Sequence, residues 1–180
     1  MYHSPPENGH VICLDELGPV SAKIYPGKRW ASKTKRPPLQ PDYKKYGYLW
    51  VFGAFEPATG QALTLCHQQR NSQSFIKLLD ALIKQWPTGE LVLILDNLSI
   101  HRSLAVQLWA LTQHRVRFLF QPTYAPWLNL IEPWWKTLKS LALNSRSFKS
   151  VDSLHSSIVK STDYWNSHRH PYIWRKSYSN

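Results

Sequence analysis

Two short stretches, VICLD at residues 11–15 and LVLILD at residues 91–96, constrain the fold more than anything else in the chain. Each is apolar at every position up to a terminal aspartate. A strand with one face in water alternates apolar and polar residues. A run without alternation has to be covered on both faces. Both runs have strand length, so the chain needs a sheet held between two layers. In open α/β sheets ligands bind at the carboxyl ends of the strands. Asp15 and Asp96 fall at such ends. On neighbouring parallel strands, about 4.8 Å apart, they would stand side by side. The competing reading is that each aspartate merely ends its strand and caps the next turn of chain.

The rest of the pattern supplies the layers. SQSFIKLLDALIKQW (72–86) has apolar residues at helical spacing, a Ser cap and Pro87 behind it. Helical patterns also cover 103–114, about 130–143 and about 151–166. VSAKIYP (20–26) alternates between Pro19 and Pro26 and reads as the second strand of a hairpin with HVICLDE (10–16). GYLWVFGAFEP (47–57) and QALTLCHQ (61–68) flank the turn signal Thr59-Gly60, and VRFLFQP (116–122) is stopped by proline. This order suits an α/β mixed sheet with helices on both faces, and 180 residues suit a single domain over 1–180.

Charge narrows the partners. Lys and Arg number 22 against 11 Asp and Glu, a formal charge of +11, which draws the chain to nucleic acid or an anionic surface. No run of eighteen apolar residues exists, so no membrane span is expected. Glu7, Asp15 and Glu16 interrupt any signal-peptide pattern, and a cytoplasmic, nucleoid-associated protein is expected. The loop 27–46 is basic and proline-rich. Lys28, Arg29, Lys33, Lys35 and Arg36 make a candidate phosphate track there, the alternative being a solvated loop. Trp30 and Trp127 are candidate stacking platforms. Cys13 and Cys66 are too few for a disulfide framework and read as two reduced, buried thiols, without the spacing of a zinc site.

Acids are scarce, so Glu132 in LNLIEPWWK stands out. Asn129-x-x-Glu132 fits a capping box. Pro133 would then cost the first helical hydrogen bond, whereas a helix beginning at Pro133 would make Glu132 the cap. Either way Glu132 lies at a helix start. Trp134, Trp135, Leu138 and Leu141 form a stripe at helical spacing and read as core. Carboxylates gathered at one place repel, each pair by about 4 kcal/mol at 4 Å and an effective dielectric near 20. A divalent cation between them offsets that, and hard oxygen ligands select Mg²⁺ or Mn²⁺.

CLDELGPV, LVLILDNLSIH and QPTYAPWLNLIEPWWKTLK together resemble the three acidic blocks of the DDE-type transposases, in the mariner-related insertion-sequence group. The spacing is similar, with residues 97 to 131, 35 in all, between Asp96 and Glu132. GYLWVFGAFEPATGQAL and YWNSHRHPYIW resemble the group's intermediate and closing segments. Leu130 and Pro133 depart from its usual pattern. The resemblance implies a ribonuclease-H-like fold with a central mixed five-stranded sheet. It implies Asp15, Asp96 and Glu132 as catalytic ligands of two Mg²⁺ (or Mn²⁺) ions, for DNA strand cleavage and 3′-hydroxyl strand transfer in transposition. Glu16, Asn97 and His101 are candidates for supporting those ligands. For Asn97 a turn-forming role after the strand, and for His101 packing on the sheet, stay open. The implied partners are DNA, as transposon ends and target, a homodimer, and a helix-turn-helix protein from a split reading frame, since the group's amino-terminal reading region is missing ahead of Asp15. An inactive nucleic-acid-binding remnant and a ribonuclease-H-like nuclease are the alternatives.

Overall fold

In a computed structural model, which describes residues 6–24, 44–122 and 126–172, both apolar runs lie at the centre of one sheet. Strands β1 (Gly9–Lys23), β2 (Lys45–Glu56), β3 (Gln61–His67), β4 (Glu90–Leu95) and β5 (Val116–Phe120) are ordered β3-β2-β1-β4-β5. β2 runs antiparallel to β1 and β3, while β4 runs parallel to β1 and β5. VICL is therefore flanked by two strands, Val11 to Cys13 pairing with β4 and Cys13 and Leu14 with β2, while Leu91 to Ile94 pair with both β1 and β5.

Side-chain alternation along the strands feeds two separate cores. Val11 and Cys13 face Trp134, Trp135 and Leu138 of α3 (Ile131–Ala142) and Leu154 and Ile158 of α4 (Val151–Ser167). Ile12 and Leu14 face Phe75, Leu78, Leu79 and Leu82 of α1 (Ser72–Gln85) and Val106 of α2 (Leu104–Leu111). Helices on both faces are what the unalternating runs require. Burying each such Leu or Ile contributes about 1.5–3 kcal/mol, so neither helical layer can be lost without exposing the sheet's centre.

The expected hairpin of 10–16 with 20–26 does not form. Both halves belong to β1, and both pair with β2, as Leu17↔Val51 and Val20↔Leu49. The register shifts between them, at Gly18 and Pro19. A proline has no N–H for the ladder, so it sits where a bulge needs none. β2, at 12 residues, is long enough to hold both halves. Local sequence cannot separate this bulge from a turn. The residues beyond Ile24 in that run lie outside the described ones.

The helix starts differ in detail from the sequence pattern. Asn71, rather than a serine, caps α1, its side chain accepting from the Ser74 N–H at 2.9 Å. α3 begins at Ile131, with Leu130 as a cap that makes no side-chain bond. Pro133 thus falls in the first turn, where N–H groups have no helical partner, and breaks nothing. Neither position considered for Glu132 holds: it is in the first turn, one residue beyond the start. Its charge there suits the positive end of the helix dipole.

The amino-terminal edge of the sheet is closed by another acid. Glu56, 3% exposed, accepts from His10 Nδ1 at 2.6 Å, Thr59 Oγ1 at 2.5 Å and Trp86 Nε1 at 3.3 Å. A buried carboxylate with this many donors is a structural tie between β1, β2 and the end of α1.

Candidate active site

β1 and β4 carry the two aspartates to one place. Cys13 pairs with Ile94. Asp15 follows two residues further along β1, and Asp96 comes directly after the last residue of β4, so both reach the carboxyl edge. Their side chains, however, are held by different layers. Asp15 Oδ2 accepts from Trp135 Nε1 of α3 at 2.8 Å. Asp96 Oδ1 accepts from the Leu98 N–H at 3.0 Å and meets His101 Nδ1 at 3.0 Å. The other ring nitrogen, Nε2, lies 2.9 Å from Glu16 Oε1.

Glu16 follows Asp15 and points to the opposite face, as a strand dictates. Its side chain and that of His101 are each 1% exposed, while that of Asp96 is 45% exposed. His101 packs on Phe75, ring centroids 4.4 Å apart. A buried imidazole between two carboxylates is driven to hold both protons and donate from both nitrogens. Burial opposes that charge, but the bonds to Asp96 and Glu16 outweigh it and raise His101 to about 9. Asp96 is lowered in turn. Burial works against its charge, and His101, the Leu98 N–H and the Arg70 guanidinium outweigh it. Arg70 itself lies over the Trp50 ring, 4.6 Å from its centroid.

Asp15 is in the reverse condition. Burial pushes it up to about 7 against the Trp135 hydrogen bond and the Glu16 backbone, and the charges of Glu16 and Glu132 push the same way. Glu132, exposed in the first turn of α3, is therefore close enough to Asp15 for their charges to oppose each other. α3 is docked at this spot by Asn129, 5% exposed, whose side-chain N–H donates to the Leu14 carbonyl at 2.9 Å. The Asn129 carbonyl accepts from the Glu132 N–H at 3.2 Å. Gly53, paired with Asp15 across the β1–β2 ladder, makes room: a Cβ there would lie 2.3 Å from the Trp135 ring.

The three expected ligands are thus gathered unequally. The charges of Asp15 and Glu132 oppose each other, and Asp96 shares the carboxyl edge with Asp15 but is turned to His101. Among the described residues, no three His, Cys, Asp or Glu side chains stand close enough to grip a metal. The donor chemistry nevertheless fits a hard divalent cation. Asp15 is a carboxylate burdened by two neighbouring acids, and Glu16 Oε2 is buried without a hydrogen-bond partner.

Of the supporting candidates, Glu16 and His101 reach Asp96 as a chain. Asn97 donates to the Gln121 carbonyl at 2.6 Å and accepts from Arg102, so it braces the strand end rather than Asp96. Trp134, Trp135 and Leu138 are core, all at most 2% exposed. Trp127 is 67% exposed. Lys28, Arg29, Trp30, Lys33, Lys35 and Arg36 lie outside the described residues. Sequence reasoning missed Asn129 as a tie, Trp135 as the donor to Asp15, Gly53 as its clearance and Arg70 beside Asp96. Periodicity reports which face a residue occupies and is blind to an indole N–H on that face. Cys13 and Cys66 are thiols outside any disulfide, Cys13 buried and Cys66 half-buried.

The chain is 32% identical over 103 residues to an uncharacterized 39 kDa protein of insertion element IS630 of Shigella sonnei, a match over 57% of this chain and 30% of that protein. The chain therefore spans under a third of that relative. Solved structures with the same fold include the catalytic core domain of BIV integrase, with a TM-score of 0.60, 11% identity, and 89% of this chain and 86% of that one covered. The HTLV-2 integrase catalytic core domain in complex with magnesium has a TM-score of 0.56 and 15% identity, over 90% and 86% of the two chains. The fold is thus ribonuclease-H-like, as the sheet order and the two helical layers had indicated. The family model for the DDE superfamily endonucleases matches residues 10–155, most of the chain, and this chain belongs to that family.

Proposed function

We propose that the chain is the catalytic domain of an insertion-element transposase that cuts a DNA strand and joins the freed 3′-hydroxyl to a target strand. The observation that supports this reading is that the adjacent, parallel β1 and β4 bring Asp15 and, just past the end of β4, Asp96 to the same carboxyl edge, with the charge of Glu132 acting on Asp15. Asp15, Asp96 and Glu132 would hold one or two Mg²⁺ or Mn²⁺ ions. When bound, such a cation lowers the pKa of the attacking hydroxyl and neutralises charge on the leaving oxygen. The chain's own residues do the rest. Trp135 fixes Asp15, and the Glu16–His101 pair fixes Asp96. In cleavage, the oxygen of water forms the new bond to phosphorus and the 3′-oxygen departs; in joining, that 3′-hydroxyl attacks and a target oxygen departs. No covalent link to the protein is needed.

The net charge of +11 supports DNA, as ends and as target, for the partner. A second copy of the chain and a helix-turn-helix protein for reading ends complete the proposed assembly. No helix among the described residues is long and apolar enough to cross a membrane.

The test is cleavage of duplex DNA with and without Mg²⁺. Asp96→Asn is expected to abolish it while leaving folding and DNA binding intact, because an amide oxygen lacks the charge that holds a cation. Full cutting in excess chelator refutes the mechanism. DNA binding with no cutting by the intact chain favours a binding remnant instead.

A further inference from the structure

Beyond the acids, β1 runs on without β4. The β1–β4 pairing ends at Cys13↔Ile94, whereas β1 continues to Lys23 on β2 alone. A cavity of about 330 Å³ lies between this continuation and the end of α3. Phe148, buried, and the half-buried Leu17, Val20 and Leu143 line it, and its charged lining residues are Lys23 and Lys139. Leu17 is two residues past Asp15. Lys139 is seven past Glu132, two turns along the same face of α3 and about 10 Å away.

We propose that this cavity receives one unstacked nucleotide of the DNA strand being processed, its base against Leu17, Val20 and Leu143 and its phosphate on Lys139 and Lys23. The inference rests on the DNA-cutting reading of the neighbouring acids and adds to it where the strand goes next. Three features argue for a nucleotide. The volume falls at the lower end of ligand sites, roughly 300–1,000 Å³, enough for one base and sugar. Among the described residues the lining joins apolar walls to positive charge with no acid, the complement of a base attached to a phosphate. The distance from Glu132 is about that between one or two nucleotides of an extended strand, so the cavity lies within reach of a phosphate at the acids. Taking a base out of a duplex costs energy, least where it is already unpaired. The cavity therefore selects strands with an unpaired nucleotide beside the cut.

The experiment measures binding by fluorescence anisotropy without divalent cations, so that cutting plays no part. Three labelled duplexes are compared: fully paired, carrying one unpaired nucleotide at a strand end, and carrying an abasic nucleotide at that position. The duplex with the unpaired base is expected to bind about fivefold to a hundredfold more tightly than the abasic one, the range that burying about 40–110 Å² of base against apolar walls supplies at about 25 cal/mol per Å². Leu143→Trp, which fills the cavity, should remove that difference. Lys139→Ala should weaken all three and make the log–log salt slope shallower by about one, with Lys139→Arg restoring it. Equal binding of base and abasic duplexes by the wild-type chain overturns the proposal, and needs no variant to fold. A folded Leu143→Trp chain that keeps the difference overturns it too. Cutting is assayed separately with Mg²⁺. A chain that cuts but ignores the base loses only the cavity, and one that prefers the base but never cuts loses the catalytic reading.

Discussion

Gly53→Ala should injure the site without touching any carboxylate. The new Cβ would stand 2.3 and 2.7 Å from two atoms of the Trp135 ring and 3.1 Å from the Ile131 side chain. Trp135 cannot retreat freely, because it is 2% exposed and packs against Trp134, ring centroids 5.0 Å apart. Overpacking of this kind costs about 1–3 kcal/mol. Displacing the indole also breaks its bond to Asp15, about 1.5–3 kcal/mol for a bond to a charged group. Replacing glycine stiffens the unfolded chain and returns about 0.4–1 kcal/mol. The net is a loss of about 1.5–5.5 kcal/mol, or about 3–22 °C in melting temperature for a chain of this size. Urea titration followed by circular dichroism measures it. Trp135→Phe removes the clashing atoms, so in the Gly53→Ala background it should cost less than in the wild type. A coupling energy of at least about 1 kcal/mol is expected for residues in such contact. A Gly53→Ala chain within about 0.5 kcal/mol of wild type, the ordinary scatter of neutral substitutions, would falsify the close-approach argument.

Three further outcomes are expected. His101→Ala leaves Glu16 buried without its partner and should destabilise the fold by about 3–5 kcal/mol, with Glu16→Gln recovering part of it; additive losses in the double variant would refute the pairing. Burial pushes the Cys66 thiol from its ordinary 9.0 up to about 12, so Ellman's reagent at pH 8 should label it only after unfolding. Between those two values the unfolded thiol has lost its proton and the folded one has kept it, so this group's contribution to stability falls as pH rises from 9 to 12. A native thiol titrating below pH 9 contradicts this. Replacing Lys33, Lys35 and Arg36 together should weaken binding to every DNA sequence alike and make the salt slope shallower by up to about three, at about −0.9 per phosphate. A loss confined to one sequence would show that the loop reads bases.

The centre of the sheet was legible because two unalternating runs have one physical solution, and both ended in the acid that the edge of the sheet displays. The helices were legible from their period to within one to three residues, the largest miss being the end of the second, expected at 114 and found at Leu111. The first strand was not. Pro19 between two short apolar runs carries the same local signal for a turn as for a bulge. What decides is the length of β2, which begins at Lys45, 26 residues after Pro19, and pairs with both halves. Glu132 was legible as a helix-start acid, but its contact with Asp15 depends on Asn129 reaching the Leu14 carbonyl across 115 residues of chain. The same limit hid Trp135. Its place in the stripe was plain, while its bond to Asp15 depends on a glycine in another strand. The splitting of the aspartates between two layers follows from His101 and Glu16, a pair that no spacing announces.

Mechanically, β1 is a splice. From Gly9 to Cys13 it is paired with β4, and from Cys13 to Lys23 with β2, so the two halves of the sheet overlap on it at Cys13. Local opening is governed by how many hydrogen bonds and buried contacts must be given up at once. The amides around Cys13, where both neighbours meet, should therefore exchange with deuterium later than those toward Lys23. Asp15 and Glu16 stand just beyond this overlap, so the acids are anchored where the sheet is tied together.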